Sequence, residues 1–147
     1  MKQDIEIQES HSIQNQNKQN GINSSFNILL IDDDDVSLFA LKTVIEGEGY
    51  NAVSYSDPYR AWDHFFHMPP YYFDIVLLDI RMPGINGIKL YSKIKVINPG
   101  IKVLFISALD ACEELLSIFP DIKSSEIIRK PIGRQYLLSK IKTLLKL

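Results

Sequence analysis

A single cysteine, Cys112, among 147 residues excludes an internal disulfide framework and any cysteine-rich metal knuckle, and it suits a reducing compartment. No apolar run approaches the roughly 18–20 residues of a membrane span, and the opening residues, MKQDIEIQES, lack the apolar stretch of a secretory signal. Charge of one sign is not in excess either. Sixteen basic against 18 acidic residues leave a net charge of −2, with no bulk pull toward nucleic acid or an anionic membrane surface. The expectation is a small cytoplasmic protein, and its length suits one domain of about 100–150 residues.

Apolar residues are scarce over residues 1–25, where Ile5, Ile7, Ile13 and Ile22 are too sparse to bury a face and Gln14–Asn20 is almost pure amide. Such a composition does not recover its ordering entropy, so the sequence predicts a disordered N-terminal tail, 1–25, followed by one domain, 26–147. A short helix formed on a partner is the alternative for the tail.

From Asn27 onward, short apolar runs alternate with helical periodicity. Ile28–Ile31 is a continuous apolar run ended by four aspartates, as suits a strand buried on both faces. Leu38, Leu41, Val44 and Ile45 then recur at helical spacing until Gly47 and Gly49. Asn51–Tyr55 reads as a second strand. Asp57-Pro58 is an N-cap with proline at the first helical position, and Trp62, Phe65 and Phe66 are its predicted buried stripe. Ile75–Leu78 is the third run, ending at Asp79, and Met82-Pro83-Gly84 turns the chain into a helix carrying Leu90, Ile94 and Ile97. Ile101–Ile106 is the fourth run, Ala111, Leu115 and Phe119 suggest a fourth helix, and Glu126–Arg129 is a weak fifth strand before an amphipathic last helix with Leu137, Leu138, Ile141, Leu144 and Leu145. Five strands alternating with five helices predict an α/β fold, a doubly wound parallel five-stranded sheet.

The polar residues fall at strand ends, all of one kind. Asp32 and Asp33 follow strand 1, Asp79 strand 3, Ser107 strand 4 and Lys130 strand 5. In a parallel sheet these carboxyl ends share one edge, where ligands bind. Carboxylates brought that close repel unless a cation neutralises them. A hard divalent ion such as Mg²⁺ takes one or two carboxylates and keeps room for phosphate oxygens, while the lysine and the hydroxyl hold the rest.

The residues Ile-Leu-Leu-Ile-Asp32-Asp33-Asp34, Asp74-Ile-Val-Leu-Leu-Asp79-Ile-Arg81-Met-Pro83-Gly84-Ile-Asn-Gly87, Phe-Ile-Ser107-Ala108 and Arg129-Lys130-Pro131 resemble, in order, the motifs of the receiver domain of two-component response regulators over roughly residues 27–146. The resemblance implies a flavodoxin-like (βα)5 sheet of strand order 2-1-3-4-5. It implies Asp79 as the phospho-acceptor, with Ser107 and Lys130 as its catalytic partners. Mg²⁺ would be held by Asp33, Asp79 and the backbone carbonyl of Arg81, with Asp32 acting through water, and the Lys130–Pro131 bond would be cis. A histidine kinase or phosphotransfer protein is the implied donor.

Asp34 and Asp35 read as charges favouring the start of the first helix. Ser107 could also cap the fourth helix, and both roles can hold at once. His64 and His67 read as packing or surface residues, and Arg134, Lys140, Lys142 and Lys146 as a solvated face. A haloacid-dehalogenase-type phosphatase, with Asp32 as nucleophile and Asp34 as acid/base, is disfavoured because no acid follows Glu126. A degenerate receiver that only binds is the other alternative. Ile127 stands where receivers usually carry Tyr or Phe, so the expected switching element is Ser107 and the loop after it. Because little chain follows the last helix, the expectation is a monomer or weak homodimer that signals by docking on a downstream protein target, is no enzyme beyond its own phosphotransfer and dephosphorylation, and binds neither DNA nor membrane.

Overall fold

The computed structural model describes residues 26–82 and 84–146. The tail expected over residues 1–25, together with Pro83 of the predicted turn, lies outside the described residues. Five strands, β1 (Asn27–Ile31), β2 (Asn51–Tyr55), β3 (Ile75–Asp79), β4 (Lys102–Ser107) and β5 (Ile127–Arg129), form one sheet of order β2-β1-β3-β4-β5. Every pairing is parallel. Helices α1 (Asp35–Gly47), α2 (Pro58–His67), α3 (Gly87–Ile97), α4 (Leu109–Ile118) and α5 (Arg134–Leu145) follow the strands in turn. The α/β class and the strand order are those expected.

The central strands are apolar between their ends because both of their faces are covered. Ile28, Leu30, Ile75, Leu77, Leu104 and Ile106 pack with Leu38, Leu41 and Ile45 of α1 and Leu137 and Ile141 of α5. Leu29, Ile31, Val76, Leu78, Val103 and Phe105 face Ala61 and Phe65 of α2, Leu90 and Ile94 of α3, and Ala111 and Leu115 of α4. Full burial of each large aliphatic side chain contributes about 1.5–3 kcal/mol, so the alternation across the sheet determines which helix lies on which face.

Helix starts follow local chemistry. Asp34 accepts from the Val36 and Ser37 N–H groups, Asp57 from Tyr59 N–H with Pro58 at the first position, and Asn86 from Lys89 N–H. Three expectations change. β4 begins at Lys102 and runs through Ser107. Ser124–Glu126 is a 3-10 turn, which shortens β5 to three residues. Phe66, predicted to be buried, is 54% exposed, because α2 turns Ala61 and Phe65 to the sheet and carries Phe66 on its outer side. Among the described residues no helix is long and apolar enough to cross a membrane.

Candidate functional site

The carboxyl ends of β1, β3, β4 and β5 bring together Asp32, Asp79, Ser107 and Lys130. Asp32, Asp79 and Ser107 are buried, whereas Asp33 is exposed at the rim. Register explains the convergence: Asp79 pairs with Ile106, and Ser107 pairs with Arg129, immediately before Lys130. The Lys130 N–H donates to the Ser107 carbonyl at 3.1 Å and carries the β4–β5 ladder one residue further.

Each oxygen of Asp79 has its own partners. Ser107 Oγ donates to Oδ1 at 2.8 Å, as does the Arg81 N–H at 3.2 Å. The Lys130 ammonium donates to Oδ2 at 3.2 Å and to Asp32 Oδ2 at 2.8 Å. Asp32 Oδ1 accepts from the Asp34 N–H at 3.0 Å. Burial pushes the Asp32 carboxyl above the ordinary carboxylate range, against the opposing pull of Lys130 and the Asp34 N–H. Burial by itself would lower the Lys130 ammonium, but its hydrogen bonds and attraction to Asp32 and Asp79 hold it above the usual lysine value.

Oxygens of Asp32, Asp33 and Asp79 all lie within 4.8 Å of one another. Three hard carboxylate donors opposite one ammonium form an electron-rich site, the donor set that a small divalent cation such as Mg²⁺ takes. The site therefore fits the expected metal.

Gly87 lets α3 meet β3 this closely. A Cβ there would fall on the Asp79 carbonyl oxygen and 2.7 Å from Ile80 Cα, while the Gly87 N–H donates to Ile80 O at 2.8 Å. The Lys130–Pro131 bond is cis, as expected. Ser107 does not cap α4. Its hydroxyl is on Asp79, and Ala108, the N-cap residue of α4, supplies no side-chain cap. Asp34 turns toward α1, its Oδ2 accepting from Ser37 Oγ at 3.2 Å. Backbone donation from Ser37 and Val36 holds Asp34 below the usual carboxylate range. Asp35 is exposed in the first turn of α1. His64 packs, its Nδ1 2.8 Å from the Tyr55 hydroxyl and its ring edge-on to Phe73.

Sequence reasoning missed the side chain of Arg81. Its guanidinium lies 2.8 Å from Asp110 and 4.0 Å from Glu114, joining the acceptor loop to the first turns of α4. No periodic or motif signal links positions so far apart.

Residues 28–142 match the sequence profile of the response regulator receiver domain. Among curated relatives, the transcriptional regulatory protein CssR of Bacillus subtilis is 31% identical over 84% of this chain and 52% of its own length. A cyclic di-GMP phosphodiesterase of Thermotoga maritima is 26% identical over 78% of this chain and 29% of its own. This chain spans about half of the former and less than a third of the latter. The receiver domain of HemR from Leptospira biflexa superposes with a TM-score of 0.72 at 28% identity, covering 84% of this chain and 96% of that one. A CheY-like receiver domain protein of Methanospirillum hungatei gives 0.70 at 28% identity, over 84% and 95%.

Proposed function

This chain belongs to the response regulator receiver family, and we propose that it accepts a phosphoryl group on Asp79 from a histidine kinase or phosphotransfer protein and signals by docking to another protein. The observation that carries this reading is the partitioning of the Asp79 carboxylate. One oxygen is held by a hydroxyl and a backbone N–H, and the other by an ammonium.

In the transfer, an Asp79 oxygen attacks phosphorus and forms an acyl phosphate. The bond from phosphorus to the donor's imidazole nitrogen breaks, its electron pair stays on nitrogen, and the neutral imidazole is released. Lys130, already between Asp32 and Asp79, pairs with the incoming phosphoryl oxygens. Ser107 exchanges its bond to Asp79 for one to the phosphoryl group. Asp33, Asp79 and the Arg81 carbonyl would hold Mg²⁺, with Asp32 contributing through water. The ion would offset charge repulsion between nucleophile and phosphate. Catalysis is then confined to the chain's own acyl phosphate.

Ile127 lies in a groove of about 400 Å³ lined also by Cys112, Leu116, Arg129 and Tyr136, between α4, β5 and α5. With no aromatic ring at that position, the β4–α4 connection bearing Ser107 is the element whose contacts differ between the free and phosphorylated states, and only such differences shift a population. The α4–β5–α5 face is the proposed docking surface.

The test is intact-mass measurement after treatment with acetyl phosphate and Mg²⁺. One added phosphoryl group is expected in the unaltered chain and none in Asp79→Asn. Modification that persists in the variant would falsify the assignment.

A further inference from the structure

Helices α2 and α3 pack side by side and expose apolar and cationic groups that phosphoryl transfer does not use. Tyr59, Trp62 and Phe66 succeed one another at three- and four-residue steps on α2, as do Lys89, Lys93 and Val96 on α3. Such steps place each set along one side of its helix. Tyr59 is 60% exposed, Phe66 54% and Val96 79%. Lys93 Nζ lies 4.8 Å from the centre of the Trp62 ring, which stands 5.8 Å from that of Phe66. The basic side chains Arg60, Lys89 and Lys93 are exposed here, and Asp63, 3.4 Å from His67 Nδ1, is the one acid of the two helices. An apolar stripe rimmed mainly by basic side chains is the character of a contact surface.

The chain itself contains the complement. Asp4-Ile5-Glu6-Ile7-Gln8-Glu9 has two isoleucines and three carboxylates in six residues. The path back to the fold is also favourable. Helices that cross between parallel strands return to the edge where strands begin, so the ends of α2 and α3 bearing Phe66 and Val96 lie on the side where the chain enters β1. Asn27 is tied there to the α2–β3 connection, its N–H donating to Asp74 Oδ2 at 2.7 Å and its Nδ2 to Tyr72 O at 3.2 Å. Sixteen residues separate Glu9 from Phe26. Their extended reach of about 50 Å exceeds the diameter of a domain whose radius of gyration is about 13 Å.

We infer that residues 4–9 dock in cis on the α2–α3 stripe, with Ile5 and Ile7 against Trp62 and Phe66 and the carboxylates beside Lys89 and Lys93. Tethering makes a modest contact sufficient. An effective concentration of about 1 mM set against a contact of about 1 mM affinity leaves the stripe half covered. The stripe includes none of Asp32, Asp33, Asp79, Ser107 or Lys130.

Trp62 is the sole tryptophan, and acrylamide quenching of its emission in the full chain reads the contact directly. The Ile5→Ser/Ile7→Ser variant, and separately the Asp4→Lys/Glu6→Lys/Glu9→Lys variant, is expected to raise the quenching constant up to about twofold by uncovering the ring. Neither touches the folded domain. Combining the tail charge reversal with Lys89→Glu/Lys93→Glu is expected to restore the shielding. Equal quenching constants in the unaltered chain and both tail variants overturn the inference. Shielding that grows with protein concentration also overturns it, since the occupant is then a second copy.

Discussion

Replacing Asp79 by asparagine should stabilise the metal-free protein while abolishing its chemistry. At an effective dielectric constant of about 20, the 3.2 Å contact with Lys130 is worth about 5 kcal/mol of attraction. Repulsion from Asp32, within 4.8 Å, returns about 3.5 kcal/mol or more, and the exposed, water-screened Asp33 about 1 kcal/mol. These charge terms nearly cancel. What remains is the desolvation of a buried carboxylate, several kcal/mol for an ion and far less for an amide. Asparagine keeps an oxygen to accept from Ser107 and from the Arg81 N–H, and Lys130 keeps Asp32, but the amide nitrogen in place of Oδ2 sets a donor against the Lys130 ammonium and takes back part of the gain. A net gain of about 1–2 kcal/mol follows, or a rise in Tm of several degrees in EDTA. Mg²⁺ should close the gap, because at ten times its dissociation constant it stabilises the unaltered chain by about 1.4 kcal/mol. Urea unfolding with EDTA and with Mg²⁺ measures both effects. Asp79→Asn less stable than the parent in EDTA, or a parent indifferent to Mg²⁺, would show that the carboxylates do not form one charged site.

Gly87→Ala should cost about 1–3 kcal/mol in urea unfolding and impair phosphorylation, because the new methyl meets the Asp79 carbonyl and the Ile80 backbone, which cannot rotate aside. Asp33→Ala should weaken a Mg²⁺ titration followed by Trp62 emission or NMR shifts and abolish phosphorylation, whereas Asp35→Ala should do little; equal effects would undo the proposed roles. Because backbone donors lower the Asp34 carboxyl, its capping contribution is present above the ordinary carboxylate range and lost as pH falls through the lowered value. The stability difference between the parent and Asp34→Ala should thus be full at neutral pH and shrink on acidification in denaturant titrations. Beryllofluoride should change amide-exchange protection within residues 107–112; protection changes confined elsewhere would remove the β4–α4 connection as the switch.

The sheet was readable because each central strand is buried on both faces, so Ile28–Ile31 and Ile75–Leu78 had to be unbroken apolar runs. The site was readable because parallel strands share one carboxyl edge and the polar residues stand at strand ends. Phe66 was misplaced because an aromatic triplet offers more apolar residues than one helix face can bury, and only packing decides which is left outside. The Arg81 bridge to Asp110 was invisible, since an ion pair between an exposed loop and a distant helix turn leaves no periodic trace. Of the two roles Ser107 could hold together, the capping one is not taken up, because its hydroxyl donates to Asp79, which it meets through the β3–β4 register.

β5 is a three-residue edge strand, laddered to β4 alone, and it delivers the only ammonium among the described residues within hydrogen-bond reach of Asp32 and Asp79. An edge of three ladder positions opens locally at a free-energy cost well below that of global unfolding. Each such opening withdraws Lys130 and leaves the carboxylates facing one another, at a moment when β1, β3 and β4 are still intact. Opening β5 thus also lifts Ile127 and Ile128 out of the two core clusters, so the position of Lys130 is coupled to the packing of both sheet faces at this edge. A contact that clasps α5 and β5 would hold that ammonium in place from outside, without touching Asp79.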